Sequence, residues 1–213
     1  MTEALIQHRI PNFDSLPLAQ VVAAAAALVP STVGPPASEA QIAAAEHELG
    51  FELPTEYREF ALSIGSVSLT PDEEDDWGSF FVLSPAELLQ VRDGNYRPTF
   101  DEWKPANWRV SSVSGLPRFS RDELREQLAT QLELTALPED LPLYDDYLNG
   151  ARFAYRRMVP VVGSLGDLHH GVLCAGPEAK LFEVHIKDGT VDPAARSFGE
   201  MVREGIGNVQ ILD

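Results

Sequence analysis

A chain of 213 residues with 44% apolar residues can build one ordinary domain with additions, or two small ones, and is too apolar to be a disordered composition. Its formal net charge is −17. Such a field repels nucleic acid and anionic lipid and attracts basic proteins, so binding to DNA, RNA or a membrane surface is disfavoured.

Residues 1–37 read as an added N-terminal helical arm and linker. Within them Leu18 to Val29 is an alanine-rich apolar run whose only polar residue is Gln20, and Pro30 ends it. The run is too short to span a bilayer as a helix. Glu3, Arg9 and Asp14 precede it, so the positive start of a secretory signal is missing and a packed helix is expected. Gly34-Pro35-Pro36 marks Ser31 to Ala37 as a linker.

The next thirty residues predict two helices and a tight corner. Ser38 and Gln41 form a capping-box pattern, in which each side chain satisfies an otherwise orphaned N–H. Ile42, Ala45 and Leu49 then share one helical face. Gly50 stands where a left-handed cap needs a residue without Cβ, with Phe51 placed to fold back on the last turn. Pro54 can open the second helix, since the N–H it lacks would have had no helical partner. Tyr57, Phe60, Ala61 and Ile64 form the stripe of a core-facing helix, and Gly65 stops it. Such a pair makes a docking platform rather than an active site.

Val67 to Leu69 is a short strand candidate. Asp72, Glu73, Glu74, Asp75 and Asp76 follow as five consecutive carboxylates, which repel one another and stay solvated. They lack the alternation, central Gly and closing Glu of a calcium loop. Trp77 to Leu83 is strand-like, and Ser84-Pro85-Ala86-Glu87 is a second capping box that starts a helix reaching about Val91. Residues 38–91 hold twelve acidic residues against one basic residue, Arg58, a net of −11.

Residues 92–157 carry turn signals at Asp93-Gly94-Asn95 and Lys104-Pro105, around Trp103 and Trp108. Ser120 with Glu123 caps a helix striped by Leu124, Leu128 and Leu132. Tyr144 to Tyr155 is a further helix candidate. It reaches the basic cluster Arg152, Arg156 and Arg157, whose expected role is local pairing with acids. Beyond it, Val159 to Val162, Val172 to Ala175 and Lys180 to Ile186 read as strands, with turns at Gly176-Pro177 and Lys187-Asp188-Gly189. In the last strand Phe182, Val184 and Ile186 share one side, and Leu181, Glu183 and His185 the other. A final helix runs from Phe198 to about Glu204.

Little in the chain promises chemistry. The single cysteine, Cys174, excludes an internal disulfide and a cysteine-built zinc site, and it suits a reducing, cytoplasmic compartment. Its apolar neighbours Val172 and Leu173 make it a core thiol rather than a nucleophile. Gly163-Ser164-Leu165-Gly166 is one residue out of register for a nucleophile elbow. Asp167, His169, His170, Glu183 and His185 could supply metal ligands, but match no spaced metal motif. No metal site and no cofactor is therefore expected.

Ser38, Ile42, Glu46, Leu49-Gly50, Leu53-Pro54, Tyr57 and Phe60 together resemble the N-terminal signature of the SUKH superfamily. That domain is shared by a fungal cell-wall synthesis regulator and many bacterial immunity proteins. Ile64-Gly65-Ser66 stands where members usually carry an Asn-Gly-Gly-like turn. Later matches are Val159-Pro160-Val161, Gly166-Asp167, the strands at 172–175 and 180–186, and Ser197-Phe198 opening the last helix. The resemblance covers residues 36–91 and 158–206, which leaves 92–157 as a mid-chain helical insertion in a domain spanning 38–213.

The resemblance implies an α+β fold in which the helix pair packs on a mainly antiparallel sheet. Ile42, Leu49, Leu53, Tyr57, Phe60, Val161, Leu173, Phe182, Val184 and Phe198 are the expected core. It also implies a non-enzymatic protein that neutralises a cognate toxin, often a nuclease, in bacterial toxin systems. A basic partner would meet the acidic surface, with Asp72, Glu73, Glu74, Asp75, Asp76 and Trp77 as the expected contact residues. A regulatory scaffold like the fungal relatives, or a small metal-dependent hydrolase using Asp167, His169 and His185, are the alternatives. The oligomeric state is left open.

Overall fold

The computed structural model describes residues 3–71, 79–92, 109–110, 121–137, 158–164, 172–185 and 190–212. The N-terminal segment holds β1 (Glu3–Leu5), α1 (Ile6–Arg9), a 3-10 turn at Phe13–Ser15, α2 (Leu18–Ala26) and β2 (Ser31–Val33). Then come α3 (Glu39–Leu49), α4 (Thr55–Ser63), β3 (Val67–Leu69), β4 (Phe80–Val82) and α5 (Pro85–Arg92). The remainder holds β5 (Arg109–Val110), α6 (Arg121–Gln131), β6 (Val159–Ser164), β7 (Val172–Gly176), β8 (Lys180–His185), β9 (Thr190–Pro193), α7 (Phe198–Gly207) and β10 (Gln210–Leu212).

Among the described residues the main sheet has eight strands in the order β2-β3-β4-β6-β7-β8-β9-β5. All its pairings are antiparallel except β5 against β9. A second, two-stranded sheet joins β1 to β10. The fold is thus the expected α+β arrangement of helices on a mainly antiparallel sheet.

The central strands are covered on both faces. Successive side chains of a strand alternate sides, yet Phe80, Phe81 and Val82 are all buried in β4, as are Leu173, Cys174 and Ala175 in β7. Phe198, Met201, Val202 and Ile206 of α7 belong to the same core, and α7 packs on β4 and β6. Burial then fades toward one edge. In β3 only Val67 and Leu69 are buried, and β2 is exposed throughout.

The local signals form as predicted. Ser38 and Gln41 make the reciprocal capping box, and Gly50 closes α3 at φ +77°. Ser84 and Glu87 do the same at α5, with N···O distances of 2.7 and 3.3 Å. The last helix opens on a third box, Ser197 with Glu200. Of the expected core, Ile42, Leu49, Leu53, Tyr57, Phe60, Val161, Leu173, Phe182 and Phe198 are all buried; the Val184 side chain lies outside the described residues. In the stripe of α6, Leu128 and Leu132 are buried.

Three expectations are corrected. Ser31–Val33, read as linker, pair antiparallel with β3; Pro30 and Gly34-Pro35-Pro36 bracket only three residues, too few to show a period, but Thr and Val suit a strand. Pro54 is the N-cap of α4 rather than its first residue, with extended backbone at φ −55° and ψ 139°. Strand β9 was not foreseen, because Pro193 within four residues argues against a strand; the proline sits at the strand's end, opposite Phe182. The helix expected at 144–155, the turns around Trp103 and Trp108, the Ser120 cap and the turn at 187–189 lie outside the described residues.

The N-terminal segment shares the core of the rest. Ile6, Ile10, Phe13, Val21, Val22, Ala25 and Val29 are buried in the one hydrophobic cluster that also holds α3, α4 and the sheet. Helices α1 and α2 pack on α7. Arg203 of α7 donates to Phe13 O at 2.5 Å and to Leu16 O at 2.7 Å, which ties the 3-10 turn to the last helix.

Candidate protein-binding surface

The corner between α3 and α4 is fixed by one carboxylate. Glu46 Oε1 accepts the Leu53 N–H at 2.8 Å and an Arg58 guanidinium N–H at 2.6 Å. The other end of the Arg58 fork donates to Glu39 Oε2 at 3.0 Å. Glu46 therefore satisfies a backbone donor in the corner and pins α4 to α3 through a charge-assisted bond. The hydrogen bond that Arg58 donates to Glu46, reinforced by the charges of Glu46 and Glu39, raises the Arg58 pKa above its ordinary value.

The inner face of the pair is anchored to the sheet and to α7. Buried Tyr57 donates its hydroxyl to Leu83 O at 2.8 Å. Its ring and that of Phe60 meet Phe198 edge-on, at centroid distances of 5.8 and 5.4 Å, the arrangement favoured by ring quadrupoles. Burial first, and the Glu87 carboxylate second, push the Tyr57 phenol well above its ordinary pKa.

With Ile42, Ala45, Leu49, Tyr57, Phe60 and Ala61 turned inward, the outer side of the pair is acidic. Glu39, Glu48, Glu52, Glu56 and Glu59 are exposed. Arg58, the one Lys or Arg of the two helices, is committed to Glu46 and Glu39. Glu56 also reaches α7, accepting the Gly199 N–H at 3.2 Å. A rigid scaffold thus holds a set of carboxylates at the surface.

This set was visible in the sequence only as a regional charge. The contact residues expected from the sequence, Asp72, Glu73, Glu74, Asp75, Asp76 and Trp77, lie outside the described residues. Helical periodicity separates the inward stripe from the outward carboxylates, so Glu48, Glu56 and Glu59 follow from the same pattern that gives the core.

The catalytic alternatives gain no support from the described geometry. Cys174 is fully buried, and burial raises its thiol well above the ordinary pKa, so the nucleophilic thiolate is suppressed. Gly163 lies within β6 opposite Phe81, where an added Cβ would stand 2.2 Å from the Phe81 ring. That glycine is required by a close approach inside the sheet, which accounts for the Gly-Ser pair without an elbow. Of the metal alternative, Asp167, His169 and His170 lie outside the described residues, and His185 ends β8 opposite Thr190. Glu183 Oε1 lies 3.6 Å from Arg196 Nε. Among the described residues no group of three or more His, Cys, Asp or Glu could hold a metal ion, and no helix is long and apolar enough to cross a membrane.

A family model described as the SMI1 / KNR4 family (SUKH-1) matches residues 36–204. That span runs from the residue pair before the α3 cap into α7, and it includes residues 92–157. No curated protein matches the chain.

Proposed function

The chain belongs to the SMI1 / KNR4 family (SUKH-1), and from that premise we propose that it is a non-enzymatic protein-binding domain, an immunity protein that neutralises a basic toxin. Domains of this superfamily are commonly immunity proteins or regulators, and they act by binding protein partners. The observation that carries the proposal for this chain is the acidic outer side of α3 and α4, with Glu39, Glu48, Glu52, Glu56 and Glu59 exposed on helices locked by Glu46 and Arg58. A nuclease must present a positive groove to its substrate. Carboxylates held rigidly can occupy such a groove, with fast, steered association and little ordering cost.

On this reading the acidic run Asp72–Asp76 extends the same field, and Trp77 supplies an apolar anchor beside it. The partner is a basic toxin domain, no cofactor or metal takes part, and the complex forms in the cytoplasm. The test begins with the open reading frames beside the encoding gene. A neighbour with a basic, nuclease-like C-terminal domain should be toxic alone and harmless when co-produced with this chain, and the two should co-purify. Replacing Glu48, Glu52, Glu56 and Glu59 with Gln should abolish protection while the chain still folds. Protection that survives this replacement, or toxicity relieved with no complex formed, would defeat the proposal.

The regulatory alternative rests on the same family, whose fungal members regulate cell-wall synthesis. It shares the non-enzymatic, protein-binding character and differs in the partner, which would be a component of the host's own network rather than a toxin.

A further inference from the structure

Only two large apolar side chains are exposed among the described residues, Leu28 at 41% and Val33 at 46%. They flank and occupy β2, the end strand of the main sheet. The same stretch is unusual in charge. Residues 15–38 contain no Asp, Glu, Lys, Arg or His, in a chain of net charge −17. Ser31, Thr32 and Val33 are all exposed, and among the described residues no strand pairs with the outer side of β2.

The backbone of that edge has a definite polarity. Thr70 N–H donates to Pro30 O at 2.9 Å and Gly34 N–H to Ser66 O at 2.8 Å. In an antiparallel ladder alternate residues address the same neighbour. Pro30, Thr32 and Gly34 therefore face β3, while Ser31 and Val33 aim their N–H and C=O groups outward. Beyond the ladder Pro35 has no N–H to offer, and its carbonyl crowds Gly65 rather than facing outward. The Ser31 hydroxyl is turned back onto α2, donating to Ala26 O at 3.1 Å. Each molecule thus presents two outward donors and two outward acceptors, and no charge.

We propose that β2 is a self-association edge, on which a second copy of the chain lays its own β2 antiparallel about a twofold axis through Thr32. In that register Ser31 pairs with Val33 of the copy, and Val33 with its Ser31. All four outward donors of the pair of molecules are satisfied, and the strand ends at the same prolines on both sides. Val33 and Leu28 lose exposed apolar surface in the process. The charge distribution selects this occupant. A basic partner gains nothing from a neutral patch, whereas two strongly acidic copies can meet only where carboxylates are absent. A three-residue edge is small, so the dimer is weak and depends on concentration. Residual repulsion between copies is screened by salt, so salt must strengthen the dimer. Docking of a basic partner on the acidic helices has the opposite salt dependence, which separates the two interfaces.

Sedimentation velocity of the full chain over a concentration series, at low and high salt, reads the association directly. The expected result is a monomer–dimer equilibrium that shifts toward dimer at high salt. Val33→Glu, an exposed change checked by an unaltered melting curve, should return the chain to monomer. Thr32→Cys places two sulfurs across the axis in a non-hydrogen-bonded pair, whose Cα separation of about 4.5 Å lies within disulfide range. Mild oxidation should cross-link it several times faster than Ser31→Cys or Val33→Cys; Cys174 is buried and does not compete. A chain that stays monomeric at the highest attainable concentration in both salts would overturn the proposal. So would a dimer indifferent to Val33→Glu, equal cross-linking of the three cysteine variants, or an edge that takes up only a foreign extended segment.

Discussion

Tyr57 shows how much one side chain can hold in this fold. Its ring packs against Phe198, and its hydroxyl serves the carbonyl of Leu83, at the exit of β4. Tyr57→Phe keeps the ring and strands that carbonyl, so it should cost about 1–3 kcal/mol at neutral pH, measured by urea unfolding. The pH dependence has a definite sign. Burial and Glu87 raise the folded pKa above the ordinary value of 10.0, so the unfolded chain loses the proton first. The tyrosine's contribution is complete below that ordinary value and declines as pH rises above it. Tyr57→Phe should accordingly lose less stability than the parent between neutral pH and about pH 10.5; an identical alkaline loss would show that Tyr57 does not titrate as argued. The residue-level features legible in the sequence were those whose partners sit three or four positions away, such as Ser38 with Gln41 and Gly50 as a cap. The Glu46 bonds to Leu53 and Arg58 span seven and twelve positions and depend on the corner's geometry, so no local pattern announces them.

At the scale of elements, α4 is attached by its aromatic stripe. Phe60 is 4% exposed and meets Phe198 edge-on at 5.4 Å. Phe60→Ala should cost about 3–5 kcal/mol, because it removes a buried ring and leaves a cavity bounded by Tyr57 and Phe198. A cost below about 1 kcal/mol would mean that the helix pair does not rest on α7 as described. Helices longer than α1, the longer strands and the apolar segments at β3 and β4 are readable because caps and apolar faces or runs are local. The strands that escaped, β1, β2, β5, β9 and β10, have two to four residues each. A period of two cannot declare itself over so few positions, and pairing is decided by whatever neighbour the fold supplies.

For the whole molecule, the family signature and the core do not coincide. The match begins at residue 36, yet Ile6, Phe13, Val21, Val22 and Ala25 lie in the common core, and Arg203 holds the 3-10 turn at two carbonyls. A chain starting at residue 36 should therefore expose the face of α7 that α1 and α2 cover, and it should melt well below the full chain or fail to stay in solution. A truncated chain with an unchanged melting temperature would show that residues 1–35 are dispensable for folding. The sequence showed the alanine-rich helix but not its berth, since the apolar face of α7 that receives it lies some 180 residues away.

The acidic exterior is the property that the proposed function needs of the whole molecule, and electrostatic steering tests it most directly. Exposed charges lose influence beyond about 8 Å at physiological ionic strength. Stopped-flow association with the proposed basic partner should therefore slow steeply as salt rises. Replacing Asp72, Glu73, Glu74, Asp75 and Asp76 together with Glu48, Glu52, Glu56 and Glu59 by their amides should flatten that dependence and lower the association rate constant by at least about tenfold, with little change in folding stability. An association rate that ignores both salt and these replacements would contradict the account.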